Sequence, residues 1–313
     1  MDRNLALEFV RVTEAAAIAA AKWIGKGDKK AADRAAVDAM RTRFNQIDFS
    51  GTVVIGEGKK DEAPELYVGE EVGTGKGPKM DIAVDPLECT DSVAYGRYNA
   101  MAVITTGMHG TLLSAPDTYM EKIAVGPEAK GVIDLDASVG ENITNVAKAL
   151  GKDVGEVTVS LLDRERHQKL IEEIRRAGAR VRLITDGDVA SAMATCMPES
   201  PIDLLLGLGG SAEAVLAAGA MKILGGEILC RFRPRNDNDK KEMDKMGLDE
   251  KTIYTANDMA QGDDVSFTAT GVIEGPVLEG VVFEAEHIIT HSIAMRGKSK
   301  TIRHIKAMHH EHN

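Results

Sequence analysis

Two acidic segments close together constrain this chain more than any other feature of its sequence: VIGEGKKD at residues 54–61 and MDIAVDPLECTD at residues 80–91. Alternating apolar residues in the second segment predict a strand, which we expect to end at Pro86 because proline cannot extend a sheet. Glu88 and Thr90 then stand at an expected helix start. Carboxylate oxygens at such a point favour hard cations such as Mg²⁺ or Mn²⁺, and the free N–H groups of a helix start favour an anion. The pattern indicates a phosphate ester held by metal ions.

Helix capping is the ordinary explanation for acidic residues and threonine at a helix start. One cap needs only one side chain, however, and Glu57 and Asp61 follow another predicted strand end nearby. We therefore favour a metal–phosphate site over capping alone. Two divalent ions bridged by carboxylates would neutralise the phosphate and orient a water molecule for in-line attack, and the Thr90 hydroxyl could hold or polarise that water.

Size, charge and cysteine content exclude several classes of protein. The chain has 313 residues, enough for one large α/β unit or two domains. A formal net charge of −11 argues against general nucleic-acid binding, which needs a basic surface. Three widely spaced cysteines fit a reducing cytosol. Charged residues interrupt both the N-terminal apolar stretch and segment 203–229, so we expect neither a secretory signal nor a membrane span, and the protein should be soluble and cytoplasmic.

Hydrophobic periodicity predicts an α/β protein with a domain boundary near residue 150. Residues 1–150 form the expected metal and phosphatase part, and residues 151–313 form a second α/β part. From residue 181 to residue 231 a β-α-β-α-β pattern predicts parallel strands with ligand contacts at their carboxyl ends. The expected helices lie at 5–23, 29–44, 142–150 and 164–176, and the expected strands at 51–55, 68–72, 81–85, 100–106, 181–185, 202–206 and 228–231. The basic, histidine-rich end is predicted to be a disordered tail that includes His309, His310 and His312.

The segment Gly207–Ala212 follows a predicted strand and matches the dinucleotide pattern G-x-G-x-x-A. Arg231 and Arg233, near the next strand end, could suit the 2′-phosphate of NADP, which would make the chain an oxidoreductase. The match is weak, because the pattern occurs often by chance and leaves the acidic residues at 57–91 without a role. Glu213, just after the same glycines, is explained equally well by a ligand-binding role and by its favourable place in the helix dipole.

Three other groups in the second half are weaker candidates. Asp186 and Asp188 flank a glycine at a strand end, where an ordinary turn is the default and binding of sugar hydroxyls the functional alternative. Arg164 and Arg166 open a predicted helix, where basic residues oppose the dipole and hint at anion binding, although a solvated face is commoner. Tyr119, in a predicted loop, could stack on a substrate or donate to it.

The pattern strand-Asp-Pro-x-acid-x-Thr with an upstream Gly-Glu resembles the lithium-sensitive, metal-dependent sugar-phosphatase superfamily, and the whole chain resembles class II fructose-1,6-bisphosphatases. This resemblance implies a layered αβαβα sandwich, a divalent metal such as Mg²⁺ or Mn²⁺, and hydrolysis of the 1-phosphate of fructose 1,6-bisphosphate to fructose 6-phosphate in gluconeogenesis. It also implies a homo-oligomer, either a dimer or a tetramer. The segments that carry it are RVTEAA at 11–16, GTVVIGEG at 51–58, DEAP at 61–64, APDTYM at 115–120, KIAVGPEA at 122–129, DGDVA at 186–190 and FTATGV at 267–272.

The resemblance also implies roles for individual residues. Thr90 would position the attacking water, with Lys29 and Asp61 as further catalytic residues at the reacting phosphate. The implied metal ligands are Asp33 and Glu57 for one ion and Asp85, Glu88 and Glu213 for another. The implied contacts of the sugar bisphosphate are Glu88, Cys89, Thr90, Tyr119, Arg164, Arg166, Asp186, Asp188 and Gly210.

Two positions depart from the family pattern. Cys89 stands where the family has glycine, which lets a backbone approach phosphate closely or adopt unusual dihedral angles, and Ala212 and Ala214 stand where the family has proline and glycine. These changes leave two alternatives open: an enzyme that also or instead takes sedoheptulose 1,7-bisphosphate, and a catalytically silent paralogue that binds sugar phosphates. Cys89 at a helix start near metals could also be an oxidisable thiol of lowered pKa, although a tolerated small residue is the simpler explanation.

Overall fold

The computed structural model describes residues 5–58 and 65–310. Within these residues no helix is long and apolar enough to cross a membrane. The α-helices are α1 Leu5–Ala21, α2 Lys29–Phe44, α3 Thr90–Tyr95, α4 Val139–Leu150, α5 Gln168–Ala177, α6 Val189–Ala194, α7 Ser211–Leu224, α8 Asp237–Lys245 and α9 Ala256–Met259. The strands are β1 Ser50–Ile55, β2 Glu71–Val72, β3 Lys79–Glu88, β4 Ala100–Met108, β5 Tyr119–Val125, β6 Thr158–Leu162, β7 Arg180–Ile184, β8 Leu204–Gly210, β9 Glu227–Arg233, β10 Tyr254–Thr255, β11 Ser266–Ile273, β12 Val282–Phe283, β13 His287–Arg296 and β14 Thr301–His310.

The chain divides into two compact units. The first takes residues up to Ser114 and returns from Ala260 onward, and the second is the continuous segment Ala115–Met259. The boundary predicted near residue 150 therefore falls inside the second unit. The physical reason is that α4 packs on the second sheet together with α5, since buried Ile143 and Ile174 share one apolar core.

In the first unit, strands among the described residues form a sheet in the order β12-β13-β11-β4-β3-β1-β2, with β14 paired to β13. Helices α1 and α2 bury their apolar residues against this sheet. Three aromatic rings lock this core: Phe9 lies 6.1 Å from Phe44 and 5.3 Å from Phe49 between centroids, both at edge-on angles that suit aromatic quadrupoles. Asp28 caps α2 by accepting a hydrogen bond from the Ala31 amide at 3.0 Å, and the predicted helix 29–44 is confirmed.

Strand β3 does not stop at Pro86 as the sequence predicted, and it continues to Glu88. The register against β4 shows how. Asp85 pairs with Val103 and Glu88 with Met101, so β3 holds one extra residue there, which is a β-bulge. Because the bulge interrupts the ladder at this point, the missing N–H of proline does not remove a regular ladder bond.

The histidine-rich end is not a disordered tail over its described part. Residues 301–310 pair with β13 along their full length as strand β14, while His312 lies outside the described residues. His309 Nε2 lies 2.9 Å from the Thr290 hydroxyl, which donates to the buried Glu14 carboxylate at 3.2 Å. A partly buried histidine thus reaches into the core, which holds the strand to the sheet.

The second unit is built on a sheet in the order β10-β9-β5-β8-β6-β7. Strands β6, β7 and β8 are parallel, as the β-α-β pattern predicted. Strand β9 does not pair with β8, however, because β5 lies between them and is antiparallel to both. Helices α4 and α5 cover one face of this sheet, and α7 packs against β5, β8 and β9. The predicted α/β class with layered helices and sheets is confirmed.

We expect Thr290→Val to lower the free energy of unfolding by about 1.5–3 kcal/mol, because the buried Glu14 carboxylate would lose its hydroxyl donor. Urea unfolding followed by circular dichroism measures this change. Thr52→Val is the matched control, since the Thr52 hydroxyl bonds to Glu71 at the surface, and it should change stability by about 0.5 kcal/mol or less. Equal effects of the two substitutions would contradict the role given to Thr290.

Candidate active site

Strands β1 and β3 run parallel and bring two acidic residues to one edge of the first sheet. Their last matched pair is Ile55 and Ala83. Glu57 and Asp85 each follow two residues later, so both lie just past the point where the pairing of β1 with β3 ends, although β3 itself continues to Glu88. Neighbouring strands are about 4.8 Å apart. The sequence predicted an acidic site here, the resemblance implied both residues as metal ligands, and the register explains how residues 28 positions apart come to neighbouring positions.

Asp33 comes to the same part of the first unit from α2. Burial and the negative charge of Asp33 raise the pKa of Glu57 to about 8, and burial also raises the pKa of Asp33. Two half-buried carboxylates repel each other, and a cation bound between them would stabilise their charged forms. Their oxygens are the ligand type that hard divalent ions prefer, so these residues fit the metal that the resemblance implies.

The third group is the junction between β3 and α3. Glu88 is buried at the end of β3, and α3 starts at Thr90, as predicted. An ion pair between Lys29 and Asp91 joins the first turn of α2 to the first turn of α3. The Lys29 ammonium also lies 5.5 Å from the ring centroid of Tyr95. The junction therefore places a lysine, a threonine hydroxyl and a carboxylate on neighbouring helix starts.

Cys89 occupies the N-cap of α3 with φ +74° and ψ 51°, in the left-handed region that favours glycine. This geometry explains why the family has glycine at the position. The thiol is 4% exposed and lies 3.5 Å from the Asn99 side-chain nitrogen. Such burial does not favour the hypothesis of an oxidisable thiol, because reactive cysteines need access as well as a lowered pKa.

Asp61, predicted to assist at the phosphate, lies outside the described residues. Within residues 5–58 and 65–310, no three side chains among His, Cys, Asp and Glu stand in an arrangement that could hold a metal ion. What the first unit provides is the close pair of Asp33 and Glu57 and the shared strand edge of Glu57 and Asp85.

The second unit gathers a different set of charged groups at the carboxyl ends of β7 and β8. Asp188, the N-cap of α6, accepts two hydrogen bonds of 2.8 Å from the Lys122 ammonium. Burial and the charge of Asp188 raise the pKa of Glu213, and Lys122 acts in the opposite direction. Two glycines make room for these carboxylates, since a Cβ at Gly209 would collide with Asp188 and one at Gly210 with Glu213.

Tyr119 is the first residue of β5, and not part of a loop as the sequence predicted. The Arg166 guanidinium lies 4.6 Å from its ring centroid, and that of Arg235 lies 5.4 Å away. Arg166 also donates to the Leu208 carbonyl at 2.9 Å. An aromatic ring close to two guanidinium groups is a suitable surface for a phosphorylated sugar, since arginine recognises phosphate well.

The prediction that Arg164 and Arg166 open a helix is wrong. Arg164 has extended dihedral angles, residues 165–167 form one 3₁₀ turn, and α5 begins only at Gln168. Both arginines therefore lie in the turn before α5 and not in its first turn. Instead Arg164 donates to the Thr185 carbonyl at 2.6 Å and pairs with Asp186 at 3.3 Å, which fixes the loop after β7.

Sequence reasoning missed two residues that organise this part of the second unit. Lys122 opens one of the segments that carry the family resemblance, yet its partner Asp188 is 66 positions away. His167 accepts from the Leu208 amide at its Nε2, at 2.9 Å, and its Nδ1 lies 2.8 Å from the Leu162 carbonyl, so it anchors the arginine segment to β8. A lysine directly before the apolar residues 123–125 of β5 was the available signal for the first.

Parallel strands that deliver carboxylates to one edge, with a threonine and a lysine on two neighbouring helix starts, are typical of the metal-dependent hydrolases of phosphate esters. The comparisons with known proteins agree. A family model described as "Bacterial fructose-1,6-bisphosphatase, glpX-encoded" matches residues 3–309. Fructose-1,6-bisphosphatase 1 class 2 of Escherichia coli (strain K12) is 47% identical over 99% of this chain and 96% of its own length.

Fructose-1,6-bisphosphatase class 2 of Escherichia coli O6:H1 and that of Shigella flexneri show the same identity and coverage. The chain belongs to the bacterial class II fructose-1,6-bisphosphatase family, as its resemblance predicted. The family consists of metal-dependent phosphatases.

The left-handed backbone at Cys89 predicts that Cys89→Gly is more stable than Cys89→Ala by about 1 kcal/mol. Both variants lose the thiol, so the comparison isolates the penalty of a Cβ at φ +74°. Urea denaturation of the two variants provides the measurement. An alanine variant as stable as the glycine variant would show that the backbone here is not strained.

The raised pKa of Glu57 predicts how metal-free protein responds to pH. Between 4.5, the ordinary value, and about 8, folded protein holds a proton that unfolded protein has released. The free energy of unfolding in a chelator should therefore fall as the pH rises from about 5 to about 8.5, and Glu57→Gln should flatten the fall. Thermal melts across this range measure the effect. The control, Glu71→Gln on the exposed side of β2, should keep the wild-type slope, and a Glu57→Gln slope equal to wild type would contradict the proposed pair.

Proposed function

We propose that this chain hydrolyses the 1-phosphate of fructose 1,6-bisphosphate to fructose 6-phosphate and phosphate, with Mg²⁺ or Mn²⁺ as the activating ion, as a step of gluconeogenesis. The observation that carries the proposal is the parallel register of β1 and β3, which brings Glu57 and Asp85 to one edge in a chain of this family. Neighbouring carboxylates repel each other because their charges are alike, and the cation that a phosphate reaction requires would relieve this repulsion.

A divalent ion bound there would polarise the phosphate and the attacking water. From the first unit we propose Asp33 and Glu57 as ligands of one ion, and Asp85 and Glu88 as ligands of another. Glu213, which lies near Lys122 and Asp188, keeps its proposed role as a metal ligand. The donor set is entirely of carboxylate oxygens, which suits Mg²⁺ and Mn²⁺ better than softer ions.

Thr90 is proposed to orient the attacking water through its hydroxyl, which can donate and accept at once. A proton leaving that water passes to a neighbouring carboxylate, and Glu88 lies two residues before Thr90 in the chain. Lys29, held by Asp91, supplies positive charge toward the transferred phosphoryl group. Asp61 keeps its proposed assisting role.

Residues of the second unit are proposed contacts of the sugar bisphosphate. The guanidinium groups of Arg164 and Arg166 suit the phosphate that is not cleaved, and Tyr119 supports the sugar ring with its face. Asp186 and Asp188 accept from sugar hydroxyls, and Gly210 allows close approach of the backbone. Cys89 and Thr90 are proposed contacts of the reacting phosphate.

Phosphate release from fructose 1,6-bisphosphate with added Mn²⁺ tests the proposal. Asp85→Asn should lower kcat at least about 100-fold, since loss of an outer-shell group alone costs 10–100-fold in metal sites. Asp38→Asn is the control, because Asp38 is an exposed acidic residue of α2 and should leave turnover unchanged. Near-normal turnover of a folded Asp85→Asn variant would reject the assigned role.

The same assay with sedoheptulose 1,7-bisphosphate separates the alternatives on substrate. Comparable kcat/KM values for both sugars would show a dual-specificity enzyme, whereas binding of either sugar without phosphate release would show a silent paralogue. We expect turnover of the fructose ester, because family and identity extend over nearly the whole chain.

A further inference from the structure

Lys122 is the most deeply buried charged side chain that the mechanism above does not use. It is 1% exposed, in the middle of β5. Its neighbours Ile123 and Val125 belong to the apolar core beneath α4 and α5. Because successive strand residues point to opposite faces, Ile123 faces that core and Lys122 faces the other side of the sheet, toward Asp188.

The ammonium makes two contacts of 2.8 Å with the two oxygens of Asp188, and it interacts electrostatically with Glu213. A buried ion pair is not an efficient way to stabilise a fold, since desolvation offsets most of the attraction. Apolar residues of similar size would serve the sheet as well. Asp188 follows β7, and Glu213 lies in the first turn of α7. These positions indicate that the ion pair of Lys122 serves ligand binding.

We propose that Lys122 is a positioning residue for substrate binding: it holds the Asp188 carboxylate in place for the sugar and offsets the combined negative charge of Asp188 and Glu213. The inference rests on the proposed function, because it takes Asp188 as a substrate contact and Glu213 as a metal ligand. It gives Lys122 two effects of opposite sign. Its hydrogen bonds to Asp188 favour substrate binding, whereas its positive charge disfavours a cation held by Glu213.

Lys122→Met tests both effects, because methionine keeps the unbranched shape and loses the charge. We expect KM for fructose 1,6-bisphosphate to rise about tenfold or more, from loss of a charge-assisted hydrogen bond that orients Asp188. Mn²⁺ should bind more tightly, by about threefold or more, from loss of a neighbouring positive charge. Binding is measured without turnover, by titrating the protein with Mn²⁺ and following the electron paramagnetic resonance signal of the free ion.

The matched control is Lys152→Met. Lys152 pairs with the buried Asp203 at 2.6 Å in the same unit. Asp203 directly precedes β8, seven residues before Gly210, where that strand ends. Loss of this ion pair should lower stability and leave both KM and Mn²⁺ affinity at wild-type values. Weaker binding of both substrate and Mn²⁺ by Lys122→Met would show a merely structural role and overturn the proposal, as would wild-type values of both.

If Lys122→Met does not fold, the double variant Lys122→Met/Asp188→Asn removes the uncompensated charge, and it is compared with Asp188→Asn. Because Lys122 is proposed to act on the sugar through Asp188, KM of the two should agree within about twofold. A further large rise in KM in the double variant would contradict the proposal. Wild-type protein that releases no phosphate from the sugar bisphosphate would instead refute the proposed function, so the two failures are distinguishable.

Discussion

Repulsion between carboxylates is the constraint on which the site in the first unit depends. The pairing of β1 with β3 brings Glu57 and Asp85 to one sheet edge, and α2 brings Asp33 close enough to raise the pKa of Glu57 to about 8. The protein could have avoided this repulsion with any neutral residue. Its presence at a strand edge, next to the lysine and threonine of two helix starts, is what a site for a cation and a phosphate requires.

Charge is managed differently in the second unit. There the carboxylates of Asp188 and Glu213 lie near a lysine that is buried in the sheet itself. The same unit places two guanidinium groups within 5.4 Å of the Tyr119 ring centroid. Acidic residues proposed to bind a cation and basic residues proposed to bind an anion thus occur together in a chain of net charge −11. The position of each charged group depends on its local contacts, and the overall charge has little influence at short range.

Local signals in the sequence predicted much of this. The bounds of α2, the end of β1 before Glu57 and the start of α3 at Thr90 followed from periodicity and from helix-start and turn signals, all of which act over a few residues. Glycine in the family at the position of Cys89 pointed to an unusual backbone, and φ +74° confirms it. The metal and substrate roles came from the family resemblance, and for individual residues they stay predictions.

What the sequence could not predict depended on distant partners. The sequence of β14 is typical of a polar tail, and its strand conformation depends on pairing with β13. Pro86 is typical of a strand end, and β3 continues past it because a bulge forms against β4. No local signal near β5, β8 or β9 indicates that β5 lies between the other two. The role proposed for Lys122 likewise depends on its contact with Asp188, which is 66 residues away in the sequence.

Anomalous diffraction from crystals soaked in Mn²⁺ locates the ions independently of any assay. We expect anomalous peaks within coordination distance of the carboxylate oxygens of Glu57 and of Asp85, where the pairing of β1 with β3 ends. A fully loaded crystal whose manganese peaks lie away from both residues would contradict this expectation.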